Sequence, residues 1–158
     1  MKSRSSRRRS KTRSLSVKRI PSSPKLSRRQ MSRQRVSRLQ RSANKYPMMH
    51  TLSIREPWVS AIAMGLKRYE GRPNIGLVRK IKVGDTLRIT GLKSGVSFTK
   101  TIVGKYDFST FREMIEQCGL RHILPGVSSI DKGVKLYRSF PNYTKKESLY
   151  GVVAIELQ

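Results

Sequence analysis

Residues 64–74 read MGLKRYEGRPN, and how this run is folded decides how the rest of the chain is read. Lys67, Arg68, Glu70 and Arg72 crowd around Tyr69 directly after an apolar segment. Alternate residues of a strand share a face, so an extended run would put Arg68, Glu70 and Arg72 together. Two guanidinium groups beside one carboxylate hold it ionised and leave donors over for a phosphate or a carbonyl. Lys67 has the opposite parity and joins that face only if residues 65–67 turn before the strand begins. It is expected there as an exposed donor with little share in folding. The run is therefore either a salt-bridged edge strand or the floor of a site that holds a ligand.

Upstream of this run, "HTLSI" (50–54) alternates as a short strand, and Pro57 opens a helix through "WVSAIAM" that stops at Gly65. Trp58 and Ile62 share its buried side. Trp58 is also a candidate for stacking on a base. "KVGD" (82–85) is a turn before the strand "TLRIT", which pairs across "GLKSG" with "SFTKTIVGKY". In "STFREMIEQCGL" the period changes: Phe111, Met114, Ile115 and Cys118 recur at helical spacing, Thr110 and Glu113 have capping-box spacing, and Gly119 ends the helix. Ile130, Val134 and Tyr137 mark a second helix stopped by Pro141, and "YGVVAIEL" is a buried closing strand. The order β-α-β-β-β-α-α-β predicts an α+β fold, a mostly antiparallel sheet or small barrel with helices packed outside.

"GLKRYEGR" fits the pattern G-x-K-x-x-E-x-R. With the tryptophan helix before it, the "KVGD" turn after it and the closing "LYGVVAIEL", residues 49–158 resemble the ASCH domain, the activating-signal-cointegrator homology domain of the PUA-like superfamily. The resemblance implies a small PUA-like β-barrel with flanking helices and a cleft lined by the signature residues, which binds RNA or modified nucleosides. Some small bacterial relatives are acetylcytidine amidohydrolases. They match this chain at Lys67 and Arg72, carry a threonine where it has Glu70, and use a further acid from a later segment, for which Glu113 and Glu116 are the candidates. Lys67 and Glu70 are thus the catalytic candidates of a hydrolase reading. Lys67, Arg68, Glu70, Arg72 and Trp58 are the candidates for binding.

The resemblance leaves residues 1–45 unexplained. Residues 1–50 carry 17 of the 35 Lys and Arg and none of the 9 acids. The first 45 repeat Arg, Lys and Ser with few large apolar side chains, so they cannot bury enough surface to offset their ordering entropy and are expected to be disordered. Such an arm meets phosphate wherever it is presented, through Arg7, Arg8, Arg9, Lys11, Arg13, Arg28 and Arg29 among others, and reads no bases. Serines beside its arginines are sites where phosphorylation would subtract charge. The arm also shares the Arg- and Ser-rich, acid-free character of a mitochondrial transit peptide, but clustered arginines and Pro21 and Pro24 oppose an amphipathic helix.

One cysteine and two histidines exclude an intrachain disulfide and a zinc motif, and neither a metal nor a cofactor is expected. The longest apolar run, "WVSAIAMGL", is too short to cross a bilayer, and no apolar anchor accompanies the arm. The reading is a nucleic-acid-binding protein with RNA or DNA as partner, monomeric by default. It would work in the nucleus or another nucleic-acid-rich compartment such as a virion core. The competing readings are a hydrolase of a modified nucleoside or of RNA, and a structural protein whose arm condenses nucleic acid.

Overall fold

A computed structural model describes residues 46–158. The arm and its expected phosphate contacts lie outside the described residues. In chain order the elements are β1 (Met49–Ile54), α1 (Trp58–Ala63), β2 (Tyr69–Pro73), α2 (Gly76–Lys80), β3 (Thr86–Gly91), β4 (Ser97–Phe108), α3 (Phe111–Cys118), α4 (Leu120–Ile123), α5 (Ile130–Arg138), α6 (Tyr143–Tyr150) and β5 (Val152–Leu157). The strands form one curled sheet in the order β1-β3-β4-β5-β2. The β1–β3 pairing is parallel and the other three are antiparallel, which makes a mixed half-barrel with its helices outside the sheet.

The curl originates in β4. Its first half pairs with β3 and its second half with β5, and the register shifts by one residue between Ile102 and Gly104. An extra residue of this kind bends a strand and increases its twist, so one long strand serves both halves of the sheet. The closing strand β5 is apolar on both faces because both are covered. Val153, Ile155 and Leu157 join a core with Leu87, Ile89, Ile102, Val59 and Ile62. Val152 and Ala154, of opposite parity, join a second core with Phe111, Met114, Ile115, Ile123, Val134 and Tyr137. Trp58 packs against both.

Helix α3 begins as its sequence predicts: Thr110 Oγ1 accepts from the Glu113 amide, and Glu113 reaches back to the Ser109 amide. A carboxylate from elsewhere adds to this start. Glu147 of α6, buried, accepts from the Phe111 amide at 2.9 Å and from Arg138 at 2.8 Å. The "KVGD" turn is pinned in a similar way. Buried Asp85 accepts from the Lys82 amide at 2.9 Å and the Met48 amide at 3.0 Å, and it lies 2.8 Å from His50 Nε2. That set of bonds locks the start of β1 to the start of β3.

Candidate functional site

The site is built by the way the chain leaves α1. Ala61 O accepts from both the Leu66 and Lys67 amides, and Gly65 takes a φ of 75°, a value glycine adopts without a Cβ clash. Residues 65–67 therefore turn, and Lys67 is directed inward. The Arg68 amide then donates to His122 O, and β2 begins only at Tyr69. Arg68 thus precedes the alternating strand, and its side chain does not join Glu70 and Arg72. It is about half exposed, at 54%, and pairs with Glu156 at 3.1 Å. The expected shared face holds for Glu70 and Arg72 and fails for Arg68.

Lys67 is buried, with 3% of its surface exposed, where an exposed donor was expected. Its Nζ donates to Tyr69 O at 2.7 Å and to Ile123 O, and lies 3.3 Å from Glu70 Oε2. Three acceptors take up the three protons of an ammonium. The other oxygen of Glu70 accepts from Arg72 Nε at 2.7 Å. Arg72 donates in addition from Nη1 to Tyr143 Oη and from Nη2 to Ser53 O, both at 3.2 Å. Its fork therefore spans from β2 to the end of β1, the two edges of the sheet that no ladder joins. Three of its five N–H groups are committed by these bonds.

Burial pushes the Glu70 carboxyl up, and the adjacent charges of Lys67 and Arg72 outweigh it, so Glu70 is held below its ordinary range. Burial also lowers Lys67, and attraction to Glu70 offsets this only in part. For Arg72 burial opposes the charge, but Glu70 prevails and raises it. The cluster carries two cations and one anion.

Above the cluster lies a cleft of about 240 Å³, lined by Lys67, Glu70, Gly71 and Arg72 together with Trp58, Tyr137, Phe140, Tyr143 and Arg55. Its volume lies just below the range of about 300–1,000 Å³ typical for drug-sized ligands, so it suits a small ligand. The aromatic wall is ordered by α3. Phe111 stacks on Tyr137 at 4.5 Å between centroids and on Tyr143 at 5.9 Å, nearly parallel to both. Tyr137 and Tyr143 thus both pack and border the cleft. Lys67 Nζ lies 5.9 Å from the centre of the Trp58 ring. Gly71 is required here by space: a Cβ would stand 2.4 Å from Tyr137 Oη and 2.6 Å from Met114 Cε.

The acids proposed from the amidohydrolase resemblance lie elsewhere. Glu113 is used in capping α3, and Glu116 faces Arg112 on the exposed side of that helix. Neither lines the cleft, whose one carboxylate is Glu70. Cys118 is half-buried among apolar neighbours, and its thiol is pushed up to about 12 chiefly by burial. Sequence reasoning missed Gly71, the Ser53 carbonyl and the supporting role of Glu147. Among the described residues no group of three His, Cys, Asp or Glu could hold a metal ion, and no helix is long and apolar enough to cross a membrane.

Residues 52–158 match the ASCH domain family. The chain belongs to that family. Two solved structures are similar in sequence as well as fold. The crystal structure of hypothetical protein PH0355 is 36% identical with a TM-score of 0.63, over 70% of this chain and 97% of that one. The solution structure of protein PF0455 from Pyrococcus furiosus is 35% identical with a TM-score of 0.58, over 70% of this chain and 96% of that one. The ASCH crystal structure from Zymomonas mobilis, at 13% identity and a TM-score of 0.50 over 70% of this chain and 66% of that one, shares the fold alone. No curated protein matches the chain. The match takes in nearly the whole of the first two solved chains.

Proposed function

We propose that the ASCH domain binds RNA by taking one unpaired nucleotide unit into the cleft, while the basic arm holds phosphate without regard to sequence. The observation that carries this reading is the buried Lys67–Glu70–Arg72 cluster at the base of a small, aromatic-walled cleft. A ring that enters meets aromatic faces at its sides. Arg72, held by Glu70 and Tyr143, lines the same cleft, and two of its N–H groups have no partner among the described residues. Bases stack on such faces whatever their identity, and guanidinium donors suit carbonyl or phosphate oxygens. The arm adds affinity and raises the local concentration of strand around the cleft. A polycation of this density fits a nucleic-acid-rich compartment.

Trp58 is the sole tryptophan and lines the cleft, so its emission reports occupancy directly. Titration of the full chain with the four ribonucleosides and with short single-stranded RNA is expected to change that emission saturably. No change with any of them would end the reading. The same samples, assayed for hydrolysis of an acetylated nucleoside, test the enzymatic alternative. With all three Lys67 protons directed to acceptors, no lone pair faces a substrate, and no turnover is expected. Turnover that collapses in Glu70→Gln while binding persists would reverse this and make Glu70 a general base.

A further inference from the structure

Beside the cleft, two cations rest on two aromatic rings in a row. The Arg55 guanidinium lies 5.7 Å from the centre of the Phe140 ring, Phe140 and Tyr143 are 5.2 Å apart, and Lys146 Nζ lies 5.9 Å from the centre of the Tyr143 ring. Arg55 is exposed, Phe140 and Lys146 are half-buried, and no ion pair among the described residues includes either cation. This differs from the other arginines nearby, since Arg138 is held by Glu147 and Arg72 by Glu70. The row is continuous with the cleft, because Arg55, Phe140 and Tyr143 line it. Tyr143 also links the two directly, since its hydroxyl accepts from Arg72.

We propose that this cation–ring–ring–cation row is a track for a single nucleic-acid strand leaving the cleft, with successive phosphates taken by Arg55 and Lys146. The inference rests on the cleft reading and extends it from one nucleotide to its neighbours. In the free protein each cation is held over a ring face, which keeps it close to its working position. A phosphate outcompetes the ring for the cation, and the vacated face becomes available to an unpaired base. A duplex cannot use such a row, because its bases are already stacked. The partner is therefore single-stranded, and a phosphate row of this kind does not read sequence.

The test uses residues 46–158, justified by two similar solved chains that the match takes in almost whole, and removes the arm's own salt dependence. Binding of the four homohexameric ribonucleotides and of a blunt RNA duplex is measured across a salt series, and uridine binding is followed by Trp58 emission. Single strands are expected to bind more tightly than the duplex. Arg55→Gln and Lys146→Gln should each lower the slope of log affinity against log salt for every hexamer, by about 0.7 per lost phosphate contact. Lys146→Gln should leave uridine binding as it was. Unchanged slopes in both variants, or a duplex bound as tightly as the hexamers, would overturn the track. Hexamers that bind with these slopes while neither they nor uridine change Trp58 emission would leave the phosphate row standing and remove the cleft reading. Failure of both ligands to bind would remove both.

Discussion

Lys67 and Glu70 lie 3.3 Å apart with almost no exposed surface, and the lysine's remaining protons go to the carbonyls of Tyr69 and Ile123. This makes Lys67 a strut between the signature turn and α4 before it is anything else. Lys67→Ala would leave a buried carboxylate short of a partner and two carbonyls without donors. Removing one member of a buried pair costs about 3–5 kcal/mol. A domain of this size should lose more than about 10 °C in melting temperature. Thermal denaturation of the variant checks this, and a melting temperature within a few degrees of the parent would show that the pair is dispensable.

Glu70 gives the cluster a pH signature. Its folded-state pKa lies below the unfolded value of about 4.3, because Lys67 and Arg72 outweigh the burial that would raise it. A depressed carboxylate contributes stability that is fully present above the unfolded pKa and is lost as pH falls through the folded one. The stability gap between the parent and Glu70→Gln should therefore be widest near neutrality and narrow below about pH 4. Denaturant titrations of both proteins over that range measure it. A gap independent of pH would mean that shape, not charge, distinguishes the two.

The cleft floor leaves no room for a side chain at Gly71, which sits under Tyr137 and Met114. Backbone sterics permit alanine at residue 71, but its Cβ would stand 2.4 Å from Tyr137 Oη. Gly71→Ala is expected to cost about 1–3 kcal/mol through forced displacement of the ring. Tyr137→Phe alone should stabilise by about 1 kcal/mol, because the buried hydroxyl has no hydrogen-bond partner among the described residues. Combined, the two should be less destabilising than their sum, since removing the hydroxyl relieves the worst contact. A double-mutant cycle with strict additivity would refute the contact as the cause.

Several elements were legible in the sequence because a local rule decided each one. The β3–β4 hairpin follows from alternation around "GLKSG", α3 from its caps and period, and β5 from an unbroken apolar run. Other features depend on partners distant in the chain. α6 shows no apolar stripe, since its buried residue is Glu147, whose burial depends on Phe111 and Arg138. Arg68 was misassigned because the start of β2 is set by His122 O. Lysines rarely lie inside a protein, and Lys67 can do so because the Ile123 carbonyl, 56 residues away, meets it there. Glu70 and Arg72 were read correctly because strand parity alone places them on one face.

Arg72 is the one signature residue that closes a gap in the backbone architecture. β1 and β2 are the free edges of the half-barrel, and the Arg72 fork joins them by donating to Ser53 O while also holding Glu70 and Tyr143. A planar fork makes these three bonds in fixed directions, and a lysine ammonium on a flexible stem cannot reproduce them. Arg72→Lys keeps the charge, so it isolates geometry from electrostatics. Two effects are expected together: a loss of about 1–3 kcal/mol in stability, and faster amide exchange along the β1 edge near Ser53. Emission from Trp58 should also shift in the free variant, because the cleft wall that includes Tyr143 is released. Amide exchange followed residue by residue, beside a denaturant titration, tests this. If β1 stays as protected as in the parent while stability falls, Arg72 acts through Glu70 alone and the seam is held by the packing of Trp58 and its neighbours.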